Sequence, residues 1–487
     1  MSIEQLSPQP VWQHFARLCR FPRPSKHEAA LRQHLQEWAS EQGLAHELDQ
    51  VGNLIIRKPA SPGWENRVGV VLQGHLDMVA QKNEATAHDF LRDPIRPRIE
   101  GDWVKADGTT LGADNGMGVA AALALLEARD IEHGPLEVLL TIDEEAGMTG
   151  AKGLQGGLLQ GQYLFNLDTE DWGEIYIGCA GGVDLTLSRS LSCASMPAGY
   201  LLFDVALTGL LGGHSGVDIH LERGNAIKLL AGVLSEAIPR FDLRIVELRG
   251  GTLRNALPRE AFARVALPAC DAGHFAGLIA AHQTTLQAAY AGVEPHMQLA
   301  VQPVTAAHEL HALNTAETRL VTDMLLALPH GVRRWSPHIE NVVETSNNLG
   351  VVRIDARRFE AVLMLRSLTD PGLDELQASI EAQARLASIQ CEAEGRYPGW
   401  APNPESPALA LLQAVYRQTL GEDAAVKVIH AGLECGLIGK AYPALEMVSF
   451  GPTIRGAHSP DERVEIASVA RFWQLLCAAL QAVPLAA

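Results

Sequence analysis

Apolar and polar positions alternate at helix-like spacing over residues 11–43, which predicts helical structure there. Short β-type runs follow: NLIIRK at 53–58, VGVVLQG at 68–74, PLEVLLTI at 135–142 and QYLFNLD at 162–168. Between two of them lies NGMGVAAALALLEA (115–128), whose Ala and Leu content predicts a buried helix. Strand and helix in alternation, with near-continuous apolar strands, predict an α/β fold around a mostly parallel sheet covered on both faces.

The texture changes after CAGG (179–182). Alternating runs such as YLLFDVALTG, RNALPREAFARVAL and FEAVLMLRSL are separated by helix-like NAIKLLAGVLSEAI and LDELQASIEAQARL. This pattern predicts an α+β insertion with an antiparallel sheet. Near YPGWAPNPESP (397–407) the pattern reverts, and the tail supplies LEMVSF as a strand and SVARFWQLLCAALQAV as a closing amphipathic helix. The expected division is therefore 1–182 and 397–487 for one discontinuous domain and 183–396 for the inserted one. A length of 487 residues also exceeds what one hydrophobic core serves.

Composition narrows the function classes. With 39 basic and 57 acidic residues the net charge is −18, which argues against nucleic acid or an anionic membrane as partner. The seven cysteines are scattered and form no CxxC, so a disulfide framework or thiolate zinc site is not expected. The N-terminal MSIEQLSPQPVWQHF has neither a basic n-region nor an apolar h-region, and a cytoplasmic location is the expectation.

Five metal-type side chains sit just past a predicted strand or at the opening of a predicted helix: His75 in GHLD, Asp114 in GADNG, Glu145 in IDEEAG, Asp168 in FNLDTE and His458 in GAHSPDE. Each alone has an ordinary alternative, such as a helix-capping Asp or a packed His. Together, two imidazoles and three carboxylates suit a pair of divalent ions sharing one carboxylate, at the strand ends where parallel sheets gather ligands. Zinc leads as the ion, and manganese or cobalt accepts the same donors. Glu144, beside Glu145, is placed to handle a proton. Asp77, two residues after His75, is placed to hold the other imidazole nitrogen.

The motifs GHLDMV, TTLGADNGMG, TIDEEAGMTGA, LDTEDWGEIYIGCAGG, GGHSG, GGTLRNALPREA, HAGLECG and GPTIRGAHSPDE run from residue 74 to residue 462. In this combination the chain resembles the di-zinc peptidase and deacylase family that includes carboxypeptidase G, peptidase T and carnosinases, and within it the Xaa-His, or cytosolic non-specific, dipeptidases. The resemblance implies that His75 and Asp168 hold one ion, Glu145 and His458 the other, and Asp114 bridges. It also implies Glu144 as general acid/base, Asp77 as orienter, a catalytic domain interrupted by a lid, a homodimer, and hydrolysis of unblocked dipeptides including carnosine-like ones.

Four further residues are expected to touch substrate. His214, in GGHSG, offers a hydrogen bond to a tetrahedral oxyanion, as a lid histidine does in relatives. Asn255 in TLRNALP offers an amide donor, and Arg366 in MLRSL a guanidinium for a terminal carboxylate. Glu434 in HAGLECG offers a charge for a free amino group or, equally, a core-edge pairing, while His430 in the same motif receives no role. Cys435 as a nucleophile is disfavoured by the metal set. The rival readings are an N-acyl amino acid deacylase or aminotripeptidase on the same centre, and a non-catalytic metal-binding scaffold, against which the retained Glu144 speaks.

Overall fold

The computed structural model describes residues 2–196, 198–304 and 311–486. Its contacts divide the chain into two compact units, the first comprising residues 1–179, 400–428 and 433–487 and the second residues 180–399 and 429–432. The sequence reading kept 397–487 whole, whereas four residues inside it, Ile429–Gly432, pack with the second unit.

The first unit is built on an eight-stranded sheet. Its centre is parallel: Leu136–Thr141, Val70–His75, Tyr163–Asn166 and Glu446–Ser449 run side by side in that order. The flanks are antiparallel, because Ala45–Leu48 and Leu54–Lys58 form a hairpin on one side and Glu174–Cys179 turns back on the other. Every residue of Val70–His75 and of Leu136–Thr141 is buried, the signature of a sheet covered on both faces. Helix Ala113–Glu127 packs on it and is buried along nearly its whole length. Its approach is so close that a Cβ at Gly118 would lie 2.4 Å from the Leu167 carbonyl oxygen.

Two features differ from expectation. Residues 11–43 are not one helical stretch: helices Gln9–Leu18 and Ala29–Glu41 flank an irregular segment containing Pro22 and Pro24, where proline removes a donor and disfavours helix in the preceding residue. A separate four-stranded sheet, Ile454–Arg455, Arg463–Glu465, Trp103–Ala106 and Pro97–Glu100, also went unforeseen. Its first two strands frame the turn bearing His458.

The second unit is an antiparallel nine-stranded sheet with four helices, Ala226–Phe241, Ala272–Ala289, Thr315–Ala327 and Asp370–Leu386, contributing to one apolar core. The alternation read at RNALPREAFARVAL holds only for Ala261–Pro268, and its first half is loop. No described helix is long and apolar enough to cross a membrane.

Candidate metal centre

The first unit brings all five sequence-predicted donors to one place. His75 ends its strand, and Asp168 lies two residues past Tyr163–Asn166. Glu144 and Glu145 open a short helix after Leu136–Thr141. Asp114 lies in the turn that starts helix Ala113–Glu127, and His458 occupies a left-handed turn position with φ 63°.

His75 Nε2 lies 3.1 Å from Asp114 Oδ1 and 3.3 Å from Asp168 Oδ1. His458 Nε2 lies 3.4 Å from Asp114 Oδ2 and 3.0 Å from Glu145 Oε2. Thus His75–Asp114–Asp168 and Asp114–Glu145–His458 form two candidate ligand triads sharing Asp114, with donor atoms within 4.8 Å of one another in each. The donor atoms of His75, Glu144 and Glu145 likewise lie within 4.8 Å of one another.

Asp77 is fully buried beneath the centre and works in three directions. Its carboxylate lies 3.4 Å from His75 Nδ1, accepts the N–H groups of Glu144 and Glu145 at 3.0 and 3.1 Å, and accepts Ser25 Oγ at 2.7 Å. One side chain therefore orients an imidazole and the Glu144–Glu145 turn together.

The electrostatics are those of a concentrated negative charge. Burial alone would lower the His75 pKa, but Asp168, Asp114 and Asp77 carry it well above the usual histidine value. Bonds to Asp114 and Glu145 push His458 up to about 11. Burial raises Asp168 to about 7 and, with Asp168, Glu145 and Glu434 nearby, holds Glu144 well above an ordinary glutamate. Asp77 goes the other way: against its burial, the bond from His75 brings it down to about 2. Among the described residues no lysine or arginine forms an ion pair with Asp114, Glu144, Glu145 or Asp168. Glu145 Oε1 is buried without a hydrogen-bond donor, and Asp168 Oδ1 has only the 3.3 Å approach of His75 Nε2. Under-satisfied carboxylate oxygens beside two imidazoles, with no lysine or arginine paired to them, are a donor set that fits divalent ions.

Sequence reading missed the residues that hold this centre. Arg23, fully buried, donates to the carbonyls of Leu76, Asp77 and Gly112. Glu28 accepts the Asp143 N–H at 2.9 Å, and Glu462 binds the turn before Asp114. The prolines of FPRPS were the one available signal that this segment is not helix.

Glu434 is fully enclosed at the start of helix Glu434–Ala441. Its Oε2 accepts Gln73 Nε2 and Thr141 Oγ1, each at 2.6 Å, while Oε1 is buried with no donor. Burial raises its carboxyl to about 7. The bonds continue from Gln73 to Asn166 and Ser449, so a polar row crosses the four central strands below the ligands.

In the second unit, His214 Nδ1 accepts the N–H groups of Gly216 and Val217. An imidazole accepting at Nδ1 carries its proton on Nε2, the form able to donate there. Asn255 is exposed on the segment that pairs with this turn, its carbonyl accepting Ser215 N–H at 2.8 Å. Arg366 is buried; its Nη1 donates to Tyr397 at 3.1 Å, and its Nε has no partner. His430 shares a 2.8 Å bond with Ser346 and is lowered to about 3 by burial and then by Arg366.

Imidazoles and carboxylates converging at the carboxyl edge of a parallel sheet, with a glutamate beside them, are the equipment of a metal-dependent hydrolase. The chain belongs to peptidase family M20/M25/M40, which it matches over residues 71–482. It is 48% identical over 482 residues to the cytosol non-specific dipeptidase of Escherichia coli (strain K12), covering 99% of each chain. The solved aminoacylhistidine dipeptidase from Vibrio alginolyticus superposes with a TM-score of 0.91 at 47% identity, covering 100% of this chain and 99% of that one. The aminopeptidase PepT from Bacillus cereus, at 16% identity and a TM-score of 0.56, covering 98% of this chain and 99% of that one, shares the fold.

Proposed function

We propose that this chain is a cytosolic two-metal dipeptidase cleaving unblocked dipeptides, Xaa-His and carnosine-like substrates among them. The observation that carries the reading is the pair of triads sharing Asp114, with Glu144 alongside. The dipeptidase names of two relatives matched over their whole length support it.

His75 and Asp168 would hold one ion, Glu145 and His458 the other, and Asp114 both. When bound, two such ions polarise a peptide carbonyl and make a water acidic near neutral pH. Glu144 takes the proton of the attacking water and returns it to the leaving amine. Asp77 keeps His75 and the Glu144–Glu145 turn in register throughout. His214, donating from Nε2, stabilises the oxyanion, and Asn255 supplies a second neutral donor. Arg366 takes the substrate carboxylate, and the donor-free Oε1 of Glu434 takes the ammonium.

Recognition of both termini sets the length limit. Metal-stripped protein reloaded with zinc, manganese or cobalt in turn should recover turnover of a free dipeptide. The N-acetyl and C-amide forms of that dipeptide should be cleaved at least about 100-fold more slowly, each having lost a charged contact of about 3 kcal/mol. Equal turnover of the three would sink the dipeptidase reading, and preference for the acetylated form would favour a deacylase. We also infer a homodimer, for which the measured solution mass should be twice that of the chain.

A further inference from the structure

Glu462 lies four residues beyond His458 and is 2% exposed. Its Oε2 accepts the N–H groups of Leu111 and Gly112 at 2.7 and 2.9 Å, and its Oε1 those of Ala113 and Asp114 at 2.7 and 3.2 Å. Both carboxylate oxygens are thus spent on four consecutive amides about 350 positions away in sequence. Among the described residues no lysine or arginine forms an ion pair with it. A carboxylate buried this completely is costly unless its charge is answered, and here the backbone N–H groups answer it.

An ordinary helix cap sits next to its own helix and uses one oxygen. Glu462 instead comes from the turn that carries His458, and that turn is itself fixed. Ser459 N–H bonds Gly456 O at 3.1 Å, Glu462 N–H bonds Ser459 O at 3.0 Å, and Arg455 pairs with Arg463 across its base. The same turn therefore grips Asp114 twice, by the backbone through Glu462 and by Oδ2 through His458 Nε2 at 3.4 Å. From the other side Arg23 holds the Gly112 carbonyl, so the Asp114 turn is pinned at its N–H and C=O groups alike.

We propose that Glu462 is a positioning residue for the metal centre, fixing the shared Asp114 against His458 and thereby setting the affinity of the ion held by Asp114, Glu145 and His458. This rests on the two-metal reading above. The Glu462→Gln amide keeps the shape but turns an NH2 group toward two of the four N–H donors, so the turn must shift. The His75–Asp114–Asp168 group shares Asp114 but keeps its two strand-end side chains, one of which, His75, is oriented by Asp77.

The test is calorimetric titration of the chelator-stripped full-length chain with zinc, beside kcat, KM and melting temperature. The parent should take two ions per chain. Glu462→Gln should bind one of them about 10- to 100-fold more weakly, the range for groups that orient ligands, with the other little changed. Its kcat should fall at limiting zinc and recover in excess, with KM for a free dipeptide unmoved. Glu462→Asp, which keeps the charge, should lie between and serves if the glutamine variant does not fold. A drop in melting temperature with both ions bound as tightly as in the parent overturns the proposal and leaves Glu462 a structural cap. A parent that binds fewer than two ions overturns the metal reading and this inference with it.

Discussion

Glu144→Gln should lower kcat by about 10²- to 10⁴-fold while both ions stay bound, the range lost when a positioned acid/base is removed. Glutamine fills the same space, and the N–H that Asp77 accepts belongs to the backbone, so the turn survives the change. What disappears is a group that alternately takes and gives a proton. The pH profile separates this from damage to the centre. Burial first, and then Asp168, Glu145 and Glu434, raise the Glu144 pKa, so protonation is favoured as pH falls. A base must be ionised to act, so kcat/KM in the parent should fall on the acid side, as Glu144 gains its proton. Bound cations favour the carboxylate and shift that limb to lower pH without removing it. The variant should lack the limb. Turnover within tenfold of the parent at full metal occupancy would contradict the assignment.

Much of this was legible because it is local. Val70–His75 and Leu136–Thr141 are buried on both faces, so their residues read as near-continuous apolar runs, and the candidate ligands follow at the positions where the runs stop. His75, Glu145 and Asp168 are found by that rule alone. The positions that hold the ligands obey no period. Glu462 serves amides about 350 residues away, and Arg23 serves carbonyls 53, 54 and 89 residues away. A charged residue satisfied by backbone groups leaves no complementary side chain in the sequence to betray it. The strands Pro97–Glu100 and Trp103–Ala106 were missed for another reason: at four residues with alternating burial they are too short to separate from loop. The polar row Thr141–Gln73–Asn166–Ser449 is likewise invisible, because each member is a single polar residue at or near the end of a largely apolar strand.

Arg23→Ala should destabilise the protein by about 3–5 kcal/mol, the scale for removing one partner from a buried charged arrangement. The guanidinium is fully buried, and burial first of all lowers its pKa, yet it stays charged because Arg loses its proton only far above neutral pH. Its Nη1 serves the Leu76 and Asp77 carbonyls at 2.9 and 3.0 Å, and its Nη2 serves Gly112 O at 2.5 Å. Alanine leaves three buried acceptors without their donor, each costing about 1–3 kcal/mol, together with a cavity. Water entering that cavity offsets part of this, which keeps the expectation near the lower sum. Arg23→Lys retains the charge but gathers its donors on a single nitrogen, which cannot match a fork spread over two loops. It should therefore recover only part of the loss. Urea unfolding of the metal-free chain measures both, and an alanine variant within about 0.5 kcal/mol of the parent, the range of neutral surface changes, would show that the segment around Pro22 and Pro24 does not hold the centre together.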